Sequence, residues 1–448
     1  MQQHIDTNPV VQAIRPHVTL IDQYPLVIDF ARSQGSRLWD CNTDSFKIDF
    51  ASSYSSIPLG YNHPIFHEPE FERELLETNR TKIANLDVLC EPYARFLDVF
   101  RRVAGPGFSR FFFIDGGALA VENALKTAFD WKVHRNLRLG KGERGTEIIH
   151  FREAFHGRSG YTLSVTNTAD PNKTKFFPKF KWPRVTNPKC YFPLKGDNLD
   201  HTIQGEHASL AEIDQVLAER ADDIAAILLE PIQGEGGDNH FRPEFLRALR
   251  ERCDRHDVLL IFDEVQTGLG MTGHTWAWQG LGVKPDIVCF AKKAQTGGFM
   301  ATDRILEEPH NVFTVPSRIS STWGSSLADM VRCRRFLEFY EESNLIDNVR
   351  ARSEQIIEML QTVAQETEQI HNVRGRGLFI AFDLVVPDQR NELLADLERR
   401  GLLCLPSGTK SVRFRPHLNV TEDVVEEAIA LVRESLLVIH PAESAHNI

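Results

Sequence analysis

The sequence predicts an α/β protein, and three features point there. Short unbroken apolar runs recur at 111–114, 147–151, 224–232, 258–265 and 286–291. Alternating runs would mark a sheet wet on one face; continuous ones suit a mostly parallel sheet covered by helices on both faces. Helical patterns lie between them, such as 117–134, where Ala118, Val121, Leu125 and Ala128, with Ala124, form an apolar stripe at helical spacing. That stripe is core and carries no chemistry.

In chain order, the first run leads through Asp115-Gly116-Gly117 into the 117–134 helix. Segment 166–207 carries several prolines and aromatics (FFPKFKWPRV, CYFPLKGD) with little periodicity, so it reads as an extended loop region bordering a site. After about Ser320 the pattern changes to amphipathic helices at 327–343 and 346–368, short strands near 377–384, 402–404 and 412–415, and a last helix from Thr421. A chain of 448 residues exceeds the size at which one core keeps growing. The expected division is therefore an N-terminal segment, 1–70, joining a smaller α+β domain at 319–448, with a large domain at 71–318 between them.

Hydrophobic residues make up 42% and charged residues 25%, the proportions of an ordinary globular protein. Lys and Arg number 51 against 62 Asp and Glu, a net charge of −11. An anionic substrate must then be drawn in by a local basic cluster, and the balance argues against nucleic acid as a partner. The seven cysteines are odd in number and lack CxxC spacing, which speaks against a disulfide framework and a structural zinc site; buried free thiols are expected. The 17 histidines include no HExxH, so no metal is expected, and GEGG and GMTGH lack the strand, GxGxxG and helix order of a dinucleotide site. The start, MQQHIDTNPVVQAIRPHV, has no basic stretch followed by an apolar one, and no run reaches the ~18 residues of a membrane span. A cytoplasmic protein is the expectation.

LLIFDEVQTG puts Asp263 at the carboxyl end of a buried strand, the edge where ligands sit in open α/β sheets. An isolated Asp there commonly caps the next segment. The next run, DIVCF, leads into Ala291, Lys292 and Lys293 at the same edge. An exposed basic pair is the usual meaning of KK, but beside Asp263 it offers what a pyridoxal ring needs: an anion for the ring nitrogen and an amine for the aldehyde. Gly116-Gly117 before a helix allows close backbone approach and an anion site on the first-turn amides. FREAFHGRSG sets Phe155, His156 and Arg158 just after another strand; Phe155 can stack on a ring and Arg158 can clamp a carboxylate.

FDEVQTGLG, PDIVCFAKK and STWGSSLADMV, in that order, resemble the class III aminotransferases of fold type I, over nearly the whole chain from about Tyr54. The resemblance implies a seven-stranded, mostly parallel sheet in the large domain and pyridoxal 5'-phosphate as cofactor. It further implies Lys292, not Lys293, as the Schiff-base lysine. In the implied cofactor contacts Asp263 faces the pyridine nitrogen, Gln266 lies near the ring hydroxyl, Phe155 covers the ring face, and Gly117 and Ala118 hold the phosphate. Thr322 resembles the residue that reaches the phosphate in a neighbouring subunit, implying a homodimer with shared sites. DGGALAVENALKTAFDWK, FREAFHGRSGYTLSVTNT and AKKAQ are most similar to members that transfer the ε-amino group of L-lysine to 2-oxoglutarate, giving 2-aminoadipate 6-semialdehyde and L-glutamate. In that likeness Arg158 binds the lysine carboxylate. Glu235 and Arg413 form a switch pair, Glu235 neutralising Arg413 for one substrate and swinging away for the other. Ser320, where the lysine enzymes have Asn, and AQTGGFMATDR depart from the pattern and bear on donor choice. Another ω-amine donor such as ornithine or 4-aminobutyrate, an aminomutase needing no 2-oxoglutarate, and a catalytically silent fold member are the alternatives.

Overall fold

Strands β1 (Phe108–Ile114), β2 (Glu147–Phe151), β3 (Arg184–Val185), β4 (Ile224–Leu229), β5 (Leu259–Asp263), β6 (Ile287–Phe290) and β7 (Gly297–Thr302) form one sheet. Their order in space is β1-β7-β6-β5-β4-β2-β3. The computed structural model describes residues 8–19 and 26–439; residues 1–7, part of the start read above for a leader, lie outside them. Pairings β6–β5, β5–β4, β4–β2 and β2–β3 are parallel, and only β7 runs against its neighbours.

The continuous apolar runs arise because both faces are covered. Leu259 and Ile261 of β5 face one core with Ala120, Val121, Ala124 and Leu125 of helix α1 (Gly117–Arg138), while Leu260 and Phe262 face the other with Phe245, Leu246 and Leu249 of helix Pro243–Arg255. Burying such side chains contributes about 1.5–3 kcal/mol each, which fixes the register of every central strand.

Strand β7 was not anticipated, because Gly297 and Gly298 open it and read as loop. Segment 166–207 is also less irregular than expected: β3 lies within it and helix Asp197–Arg220 takes its last part. The stripe that this helix buries is Thr202, Glu206, Ser209, Ile213 and Leu217. Its polar half hid the helical period, and Asp197 and Asp200 in the first turn complement the helix dipole.

A second, antiparallel sheet joins Ile370–Arg376, Phe379–Leu384, Ser411–Phe414 and Leu405–Ser407. Residues Ile28–Gln34, Arg37–Asp40 and Ser45–Asp49 form a third, which Leu402–Leu403 completes. A small hairpin, Ile232–Gln233 with Asn239–His240, projects beyond β4. All seven cysteines are free; five are buried as expected, whereas Cys41 is exposed and Cys90 half-buried. Among the described residues no helix is long and apolar enough to cross a membrane, and no group of three or more His, Cys, Asp or Glu could hold a metal ion.

Candidate active site

Strand ends β1, β2, β4, β5 and β6 all open on one edge of the large sheet, and Gly117, Phe155, Arg158, Glu235, Asp263 and Lys292 follow them. Asp263 closes β5 and is buried. Its Oδ2 lies 2.8 Å from Nδ1 of buried His156, and its Oδ1 accepts the Val265 N–H at 3.1 Å. His156 Nε2 is buried with no hydrogen-bond partner among the described residues. Glu230, immediately beyond β4, accepts the Phe155 N–H at 2.9 Å on one oxygen and the Gly234 N–H at 2.9 Å on the other. Burial, with Asp263 nearby and His156 opposing, raises the Glu230 carboxyl to about 7.

The two lysines after β6 part company. Lys293 is buried and donates to Ser55 Oγ, to Ser55 O at 3.2 Å and to Gln266 O at 3.2 Å. Lys292 adopts φ +56°, and among the described residues its amine has no hydrogen bond or ion pair. Burial first, then Arg413 and Arg415, push that amine down to about 7 against the pull of Asp263 and Glu230. Strand β7 then returns beside β1. A Cβ on Gly297 would stand 2.6 Å from the carbonyl oxygens of Ile114 and Gly116, so the Lys292 turn rests on the turn before α1.

Helix α1 begins without a side-chain cap because its N-cap is Gly116, while Asp115 before it accepts Ser325 Oγ–H and Ser326 N–H at 3.0 Å each. The first-turn amides of Gly117 and Ala118 therefore stand open to an anion. Gly117 faces Val265, whose Cγ1 would lie 2.9 Å from an added Cβ.

At the cleft's other wall, Arg413 of strand Ser411–Phe414 is buried, yet the only hydrogen bond of its side chain among the described residues is a 3.5 Å contact to Gln266 Oε1. Its Nε has none. The expected Glu235–Arg413 pair is not formed. Glu235 instead accepts from Thr168 Oγ1 at 2.7 Å and from Lys173 Nζ at 2.5 Å. Arg158 is exposed and has no ion pair among the described residues; its neighbour Ser159 is held by Glu122 at 2.6 Å. Thr322 and Ser320 are exposed and touch none of these groups, the Thr322 strap being tied to the α1 turn through Ser325.

Residues 21–436 match the family Aminotransferase class-III. The chain is 44% identical over 438 residues to an L-lysine-epsilon aminotransferase of Amycolatopsis lactamdurans, covering 96% of each chain. It is 46% identical over 426 residues to that of Mycobacterium tuberculosis, covering 94% of each. A solved structure, lysine aminotransferase from M. tuberculosis in the internal aldimine form, superposes with a TM-score of 0.93 at 44% identity, over 97% of this chain and 100% of that one. The chain belongs to the class-III aminotransferases.

The cofactor of this aminotransferase is pyridoxal phosphate, and the groups at the strand edge suit it. A buried carboxylate, an unpaired amine poised near neutrality and an uncapped helix start match the ring nitrogen, the aldehyde and the phosphate in kind. Glu230, Thr168 and Lys173 were not anticipated from the sequence. Glu230 was findable, because EPIQGEGG sets it at a strand end just as FDEVQTG sets Asp263. Thr168 and Lys173 carry no such signal, since they meet Glu235 only through the folded path of the 166–196 segment.

Proposed function

We propose that the protein is an L-lysine 6-transaminase, moving the ε-amino group of L-lysine to 2-oxoglutarate and yielding 2-aminoadipate 6-semialdehyde and L-glutamate. The observation that carries this is likeness at 44–46% identity, over 94–96% of each chain, to L-lysine-epsilon aminotransferases. When bound, pyridoxal phosphate supplies an aldehyde that takes up amines and a protonated ring that accepts the electron pair of a broken C–H bond.

Asp263 is assigned to the ring nitrogen, a role its burial supports because a carboxylate kept from water holds a cation strongly. His156 fixes the orientation of that carboxylate. Phe155, its N–H anchored on Glu230, covers the ring, Gln266 attends the ring hydroxyl, and Gly117 and Ala118 direct amides to the phosphate. Lys292 removes the proton from the donor's Cε: with its amine near 7, a substantial neutral fraction is ready to accept it at physiological pH. Arg158, without a partner among the described residues, takes the lysine carboxylate; Arg413 takes a carboxylate of 2-oxoglutarate once Glu235 has left it. Thr322 reaches the phosphate held by a second copy, so the working unit is a homodimer. Large exposed apolar residues around that strap and the α1 start, among them Leu89, Leu119 and Trp323, support it. The seven free cysteines support a cytoplasmic site of action.

The test is turnover with 2-oxoglutarate and L-lysine, ornithine or 4-aminobutyrate in turn, the product trapped by an aldehyde reagent. Lysine should react fastest; an inert lysine beside a reactive second amine overturns the reading.

A further inference from the structure

The switch at this site needs a resting place for the displaced carboxylate, and the structure assigns one. We propose that Lys173 and Thr168 form a latch that holds Glu235 clear of Arg413 and so selects the state that receives 2-oxoglutarate. The inference rests on the roles given above to Glu235 and Arg413.

The backbone around Glu235 is fixed. Gly408 N–H donates to Glu235 O at 2.8 Å, Ser407 Oγ to Gly234 O at 2.6 Å, and Arg374 Nη2 to Gly237 O at 2.6 Å. Only the side chain is then free to travel between Arg413 and the 166–196 segment. On the latch side, two donors converge on the same oxygen, Thr168 Oγ1 at 2.7 Å and Lys173 Nζ at 2.5 Å. Both donors are pre-positioned. Thr168 Oγ1 accepts the Asp170 N–H at 3.3 Å, and Asp170 caps the short turn Pro171–Lys173 through the Asn172 N–H at 2.9 Å.

Lys173 also has a second carboxylate, Asp170, at 4.0 Å, and its Nζ lies 5.9 Å from the Phe155 ring centre. When Glu235 returns to Arg413, Lys173 therefore keeps a counter-ion and needs no new partner. The complement is Arg413 itself, buried with an orphaned Nε and one long contact. A buried guanidinium without a carboxylate is costly, and what stabilises this state is the grip on Glu235 elsewhere together with the anion that Arg413 awaits. Lys173 and Thr168 are positioning residues, acting on the acceptor through Glu235.

The latch pair is partly exposed, so its loss shifts the equilibrium modestly. Lys173→Met should weaken binding of glutarate, a dicarboxylate without a reactive carbonyl, about three- to fivefold by calorimetry on the holoenzyme, with a like fall in kcat/KM for 2-oxoglutarate. The half-reaction with L-lysine should hold steady or improve. Thr168→Val should act in the same direction, and Lys173→Arg should restore glutarate binding. In a Glu235→Ala background Lys173→Met should change nothing further. Equal losses in both half-reactions, a Lys173→Met effect that persists without Glu235, or no effect on glutarate would each overturn the latch. Arg413→Met tells its failure from that of the parent assignment: if glutarate binding survives that change, the role of Arg413 falls and the latch with it; if binding is lost while Lys173→Met is silent, the latch alone falls.

Discussion

Removing one carboxylate should loosen the hairpin that presents Glu235. Asp238 accepts both terminal nitrogens of Arg415 at 2.8 Å, and both side chains are 0% exposed. Arg415 also donates to Phe414 O at 2.8 Å, and its guanidinium lies 3.3 Å from the Phe379 ring centre. Asp238→Ala leaves that cation buried with only a carbonyl and a ring face. Breaking such a pair from one side costs about 3–5 kcal/mol. The penalty falls first on the hairpin Ile232–Gln233/Asn239–His240, whose connection to the second sheet runs through Asp238, Arg374 and Ser407. With 1.36 kcal/mol per decade, about 3 kcal/mol amounts to two orders of magnitude in opening equilibrium. Hydrogen exchange by mass spectrometry on 232–240 reads this locally, without assuming that the whole chain unfolds in one step. Protection there should fall about a hundredfold while β5 and β6 keep theirs, and the doubly neutral Asp238→Asn/Arg415→Gln should recover much of it. A loss below about fivefold, near 1 kcal/mol, would refute the assignment of this pair as the hairpin's anchor.

In the cofactor-free enzyme, the Lys292 amine should react with an amine-acylating reagent along a pH curve with its midpoint at about 7, and Arg413→Met should move that midpoint upward by removing a like charge; peptide mapping over a pH series checks both. Gly117→Val should weaken cofactor binding at least tenfold in a fluorescence titration, because even its Cβ would press on Val265 Cγ1 at 2.9 Å beside the open first-turn amides of α1. Glu230 has its carboxyl raised to about 7, so folding takes up a proton there: the stability it contributes is full below the unfolded value near 4.5 and is lost as pH rises through 7. Melting curves from pH 5 to 8 should therefore decline more steeply for the wild type than for Glu230→Gln.

The central strands were legible because burial on both faces leaves an unbroken apolar signature, and Asp263 and Lys292 were legible because each ends such a run. Strand β7 was not, since Gly297 and Gly298 are selected by a backbone contact that leaves no trace in hydrophobicity. Helix Asp197–Arg220 escaped for a related reason: Glu206, in its buried stripe, is paired with Arg242 at 2.8 Å, a partner unknowable from periodicity. The candidate site divides in the same way. Groups bound to strand ends could be placed from sequence, and resemblance supplied the choice between Lys292 and Lys293, which the structure separates through the bonds of Lys293 to Ser55 and Gln266. The groups that hold Glu235 away from Arg413 were not read from sequence, because Lys173 lies on a proline-rich segment whose path no local pattern dictates.

The bare corner at Gly297 has a practical meaning for anyone wishing to retrain this catalyst on unfamiliar amines. With no room for a methyl group between that residue and the carbonyls of Ile114 and Gly116, the Lys292 turn and the turn that opens helix α1 are cut from one rigid block. Variation introduced along the hairpin or the proline-rich segment leaves that block untouched, whereas a single added carbon at the corner would push both turns out of alignment together.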